Sequence, residues 1–152
     1  MMPQLAAAVA INAVSATNGG TVTSSVIDTL GYDFATIDIW ATTQAASTQA
    51  GSPSVLKLQE ADNTSATSFV DVTGFRGASA TATNVDFVVG IGRTSGINNY
   101  KFNVDLRARK RYLSVVVSPT TSQTFYATVN FGRAEQAPIT ATKAGVLSLV
   151  EG

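Results

Sequence analysis

An all-β fold, an antiparallel sandwich of jelly-roll-like type with extended terminal arms, is what this sequence predicts. Three observations carry the prediction. Apolar residues recur at every second position in short runs, β-branched residues dominate those runs, and Gly, Asn, Asp or Pro separates one run from the next. No window of useful length shows a helical period, and no internal repeat is visible.

The clearest strands lie late in the chain. Tyr100, Phe102, Val104 and Leu106 alternate with Lys101, Asn103 and Asp105, the pattern of a half-buried strand over 100–106. Leu113, Val115 and Val117 continue an apolar face to Ser118 and Pro119, and Phe125, Ala127, Val129 and Phe131 form a third run ending at Gly132. Short connections make three successive antiparallel strands the economical expectation. Earlier in the chain the candidates are 9–15, 21–28, 34–42, 55–61, 69–72 and 85–91. Turn chemistry divides them at Asn18, Gly19 and Gly20, at Gly31, at Gly51, Ser52 and Pro53, at Asp62 and Asn63, and at Gly74. The Ala/Gln-rich stretch 43–51 reads as a loop. Eight or nine short strands at this spacing suit a sandwich or barrel. The body is expected over 1–132, with about the first eight residues a possible arm, and 133–152 is expected to be a C-terminal extended arm.

Composition narrows the chemistry. The 152 residues suffice for one domain with its own core, and 45% are hydrophobic. Only 13% are charged, about half the usual share, while Ala, Ser and Thr fill more than a third of the positions. Ten cations balance ten anions, which argues against binding nucleic acid through its phosphates. With no Cys and no His, thiolate or imidazole metal sites, Cys nucleophiles and imidazole-based triads are all excluded. The N-terminus lacks a positive leader, and Gln4 and Asn12 interrupt its apolar run, so neither a signal peptide nor a membrane span is expected. No catalytic residue, cofactor or metal is expected.

The cationic knot Arg107, Arg109, Lys110 and Arg111 is the main candidate site. Strand alternation would put the three arginines on one side, where like charges repel unless carboxylates meet them. A solvated hairpin end whose charges aid solubility is the competing reading. Gly90, Gly92 and Gly96 resemble a phosphate loop, but Ile97 to Tyr100 open a strand where the mechanism needs a helix, so a plain loop is expected. Glu60 with Asp62, and Asp28, Asp33 and Asp38, were they to meet in a cleft, would offer the two acids of a glycosidase; surface or turn positions suit them better. Trp40, Tyr32, Tyr112 and Tyr126 could form a sugar-stacking or partner-binding surface. Trp40 shares a face with Asp38, opposite Ile37 and Ile39, and burial in the core or an interface is the competing expectation.

Four segments carry a family likeness: VLKLQE at 55–60, FVDVTGF at 69–75, FNVDLRARKRYLSVVVSP at 102–119 and GRAEQAP at 132–138. Through them the last two-thirds of the chain resembles the small decoration, or cement, proteins on the outer capsid surface of tailed bacteriophages. The resemblance implies a non-enzymatic clamp, made in the host bacterial cytoplasm and carried on the virion exterior. It would bind the major capsid protein and bridge neighbouring subunits as a homo-oligomer, a trimer ahead of a dimer, without membrane or nucleic acid. Arg107, Arg109, Lys110, Arg111, Arg133 and Glu135 are the expected partner or intersubunit contacts. A carbohydrate-binding β-sandwich of a phage fibre or cell surface is the alternative.

Overall fold

Runs of alternating apolar residues need a second apolar surface to face, and here two sheets supply it to each other. The computed structural model describes residues 6–43, 52–79 and 85–134, with Arg133 and Ala134 by backbone alone. The 43–51 loop falls almost wholly outside these residues, as do both proposed arms except for Ala6, Ala7 and Ala8, which open β1 on β10, and the Arg133–Ala134 backbone at the end of β10. Ten strands are defined among the described residues: β1 Ala6–Ala16, β2 Val22–Thr23, β3 Ile27–Asp28, β4 Tyr32–Ala41, β5 Val55–Ala61, β6 Val70–Ala78, β7 Phe87–Val88, β8 Asn98–Asp105, β9 Tyr112–Ser118 and β10 Gln123–Ala134. Among the described residues helix is confined to short 3-10 turns at Ala66–Ser68 and Leu106–Ala108. The fold is an all-β sandwich.

One sheet has four strands in the order β1-β10-β4-β8, all antiparallel; the other has six, ordered β2-β9-β5-β6-β7, with β3 also paired to β9. Ile37, Ile39, Phe102, Phe125, Val129 and Phe131 face inward from the first sheet, and Leu56, Leu58, Val72, Leu113, Val115 and Val117 from the second, in one buried cluster. Burial of this apolar surface is the main favourable term in folding. Phe102 joins the sheets directly, its ring edge-on to Phe75 at 5.5 Å and to Phe87 at 6.2 Å.

Three successive strands at the end of the chain were expected to lie side by side, and they do not. β8 pairs with β4, β9 lies in the opposite sheet between β5 and the β2–β3 edge, and β10 returns to the first sheet between β1 and β4. Alternation fixes which side chains face the core, but both sheets face the same core, so it leaves the choice of sheet open. The expected strand 21–28 is likewise divided. Ser24 keeps the ladder going through its N–H to Val115 O (2.9 Å) and by accepting from Val115 N–H at its Oγ (2.9 Å). Ser25 then turns away, its N–H donating to Ala10 O at 2.9 Å, and stitches this edge to β1 of the other sheet.

Gly74, expected to end a strand, instead bends β6 from within at φ +90°. Only glycine takes this conformation freely. The bend lets Asp86 accept from the Gly74 N–H (2.7 Å), the Arg76 N–H (3.1 Å) and the Arg76 guanidinium. This clasp lays β7 parallel to β6 and leaves little of the expected 85–91 strand. It also presses the Phe87 ring onto Gly77, where an added Cβ would collide with the ring and come within 2.9 Å of Leu56 O.

β1 is an irregular edge. Its pairing with β10 slips between Val9 and Ile11 and again between Ile11 and Val14, and Ala13 has φ 53°. Because Phe87 cannot retreat without leaving Phe102, Gly77→Ala should cost about 1–3 kcal/mol of stability in urea unfolding; an unchanged midpoint would contradict this packing.

Candidate functional site

The cationic knot lies where the chain leaves the four-stranded sheet. β8 ends at Asp105, whose carboxylate accepts the Arg107 N–H (3.1 Å) and caps the 3-10 turn Leu106–Ala108, with Leu106 buried. The strand therefore does not continue, and Arg107, Arg109 and Arg111 do not form a ladder on one face.

Each cation meets a carboxylate of its own chain. Arg107 holds Asp105 through Nε (2.9 Å) and Nη2 (2.6 Å) while its guanidinium lies 5.1 Å from the Phe34 ring centroid. Arg111 holds Asp28 in the same way, at 2.9 and 2.7 Å, over the Tyr112 ring. Arg109 stands 3.6 Å from Glu60, which also accepts the Lys110 N–H at 3.1 Å, and Lys110 Nζ reaches Asp62 at 2.8 Å. The repulsion anticipated for the run is thus relieved inside the molecule. Three of these carboxylates, Asp28, Glu60 and Asp62, stand at or just past the ends of β3 and β5. They could not be assigned from sequence, since each lies 48 residues or more from its cation along the chain.

Hydrogen bonding from Arg111 lowers the Asp28 carboxyl below its ordinary value, outweighing partial desolvation. Asp105 is lowered to about 2, by the Arg107 guanidinium first and then by the Arg107 N–H. Asp86 is lowered further by Arg76. Carboxylates held this firmly ionised serve as acceptors and are poor proton donors; a general acid needs the opposite shift. Glu60 and Asp62 do not face each other across a cleft, since each turns to a different cation.

Of the other expected contacts, Arg133 enters through its backbone in β10, and Glu135 lies outside the described residues. The glycine-rich stretch is a loop leading into β8. It is organised by buried Asn98, which accepts the Arg93 N–H at 2.6 Å and donates to Thr42 O at 3.3 Å. Sequence reading passed over Asn98, though an Asn closing a glycine loop at a strand entry is a signal it could have used. Among the described residues no group of three or more Asp or Glu could hold a metal, and no helix is long and apolar enough to cross a membrane.

The outer face of the four-stranded sheet is different in kind. Ile37 and Ile39 are buried, so Asp38 and Trp40 point outward, as alternation required. Trp40 pairs directly across the ladder with Tyr126 on β10 and Asn99 on β8. These two aromatics line a groove of about 430 Å³ with Val9, Ile97, Asn12 and Thr128. Val9 is 62% exposed, Ile97 65% and Tyr126 42%, an apolar concentration on an otherwise polar face.

No protein-family model matches the chain, and no curated protein matches it.

The lowered carboxyls fix the acid response. Asp28, Asp86 and Asp105 take up protons less readily folded than unfolded, so their stabilisation is complete above the ordinary carboxylate value of 3.8 and drains away as pH falls through the lowered ones. With no histidine to titrate, the melting temperature should stay level from about pH 8 to about pH 5 and drop below about pH 4. A scanning-calorimetry series showing steady loss from pH 7 downward would contradict this.

Proposed function

We propose that the protein is a structural component of a phage virion, a jelly-roll-like sandwich that binds the outer capsid surface and bridges neighbouring major capsid subunits as a small homo-oligomer, trimer ahead of dimer. The observation that carries this reading is the charged end formed by Arg107, Arg109, Lys110 and Arg111 with Asp28, Glu60, Asp62 and Asp105. Solvent-exposed ion pairs of this kind contribute little to stability, because water and salt screen them. Exchanging an internal carboxylate for one on a neighbouring subunit is therefore nearly neutral in energy. Arg107 and Arg111 each engage Nε and Nη2 internally and keep the Nη1 donors for a further acceptor.

Such an end is well behaved alone and specific in a lattice, because only a surface with the matching pattern of charges can join the exchange. Weak contacts suffice when many copies sit on one shell, and binding to the assembled shell alone shifts the equilibrium toward it. The interleaved strand order supports the jelly-roll-like reading: with β2 and β3 taken as one strand and the two-residue β7 set aside, eight strands form two facing layers, β1-β10-β4-β8 and β2/β3-β9-β5-β6, and every step along the chain except β5 to β6 crosses between them. The family likeness of residues 102–119 and the lowered carboxyls support a binding role over catalysis. In this reading the protein is made in the host cytoplasm and resides on the capsid exterior, with 133–152 as a bridging arm.

Replacing Arg107→Glu and Arg111→Glu together should cut occupancy on empty capsids by roughly tenfold, equivalent to about 1.4 kcal/mol, in co-sedimentation at low salt. Wild-type binding should itself weaken as salt rises. Full occupancy by the double variant, or no sedimentation of the wild type, would overturn the proposal.

A further inference from the structure

We infer that the outer face of the four-stranded sheet carries a binding site for a neutral saccharide, with Trp40 and Tyr126 as its floor. This goes beyond the capsid reading and rests on a different surface from the charged end. Neighbouring strands lie about 4.8 Å apart, so the directly paired Trp40 and Tyr126 side chains stand side by side on one face. Neither ring belongs to the buried core cluster. Together they make an apolar strip about as wide as one sugar ring, inside a groove whose size, about 430 Å³, suits one or two such rings.

The chemistry of the surroundings selects the ligand class. A pyranose has an apolar C–H face, which stacks on aromatic rings, and a rim of hydroxyls, which needs donors and acceptors together. Asn12 and Thr128 line the same groove and provide both. One residue row further along the sheet, Thr128 is flanked by Asp38, which Lys101 neutralises at 3.1 Å. None of the described residues lining the groove is a cation, so phosphate, sulfate, charged glycans, nucleic acid and anionic membrane surfaces are disfavoured. Asp38 and Lys101 retain acceptor and donor capacity for hydroxyls beyond their mutual pair.

Trp40 is the only tryptophan in the chain, so its fluorescence reports on the groove directly. The full-length protein should be titrated with neutral hexasaccharides of glucose, mannose, galactose and N-acetylglucosamine, and with a heparin hexasaccharide as the charged counterpart. At least one neutral sugar should give a saturable change, and heparin should give none. Tyr126→Ala, checked for an unchanged melting temperature, should weaken binding about tenfold and leave capsid co-sedimentation intact. Should that variant unfold, saturation-transfer NMR on the wild type should place the sugar protons against the Trp40 and Tyr126 rings. The inference is overturned by silence of all neutral sugars in both measurements at about 10 mM, by a stronger response to heparin, or by binding that Tyr126→Ala leaves undiminished. Protection of Trp40 from acrylamide quenching when the protein joins a capsid would also overturn it, giving this face to the shell instead.

Discussion

The passage of the chain from one sheet to the other between Asp105 and Tyr112 is the constraint on which the rest of the structure depends. β8 must end on the four-stranded sheet and β9 must begin on its opposite, within six residues. Leu106 anchors the crossing in the core, and the residues after it are forced outward into solvent. Four of the six are cations, placed where the ends of β3, β5 and β8 converge with their carboxylates. The same crossing makes β9 a central strand, buried along nearly its whole length and paired on both sides.

This arrangement explains how a chain so sparing with charge stays ordered at its edges. Many of its ionic groups stand where the backbone turns or bends, and three carboxylates there hold backbone donors: Glu60 the Lys110 N–H, Asp105 the Arg107 N–H, Asp86 the Gly74 and Arg76 N–H groups. Satisfying such backbone donors matters more than the ion pairs themselves, since exposed pairs contribute little and an unmet donor costs more. The outer face of the four-stranded sheet carries Thr and Asn, the Asp38–Lys101 pair and two aromatics.

Much of the fold was legible because a strand's two-residue period is local. Residues 55–61 form β5 as expected, and Ile37 and Ile39 are buried opposite Trp40. Sheet membership was not legible, since β8, β9 and β10 carry the same pattern whichever sheet receives them. Gly74 was read as a turn because φ above zero serves turns and bulges alike. For the site, the cationic run was visible, but its partners lie far off in sequence and come near only through the topology. Asp28 joins Arg111 because β3 pairs with the start of β9, a fact no local spacing encodes.

β1 limits how this molecule can multiply. Edge-to-edge growth of a sheet requires two straight, hydrogen-bonding borders on every unit. On the four-stranded sheet one border is β1, with its two slips, its left-handed Ala13 and its Ala10 carbonyl already taken by Ser25. The other, β8, is regular over eight residues. Among the described residues this sheet offers a single regular border, which gives it a valence of one for strand addition: a pairing through β8 would end the series on this sheet. Runaway growth through this sheet is thereby blocked at the level of the backbone, and a larger assembly through it must be built on faces and ends, where side chains decide the geometry.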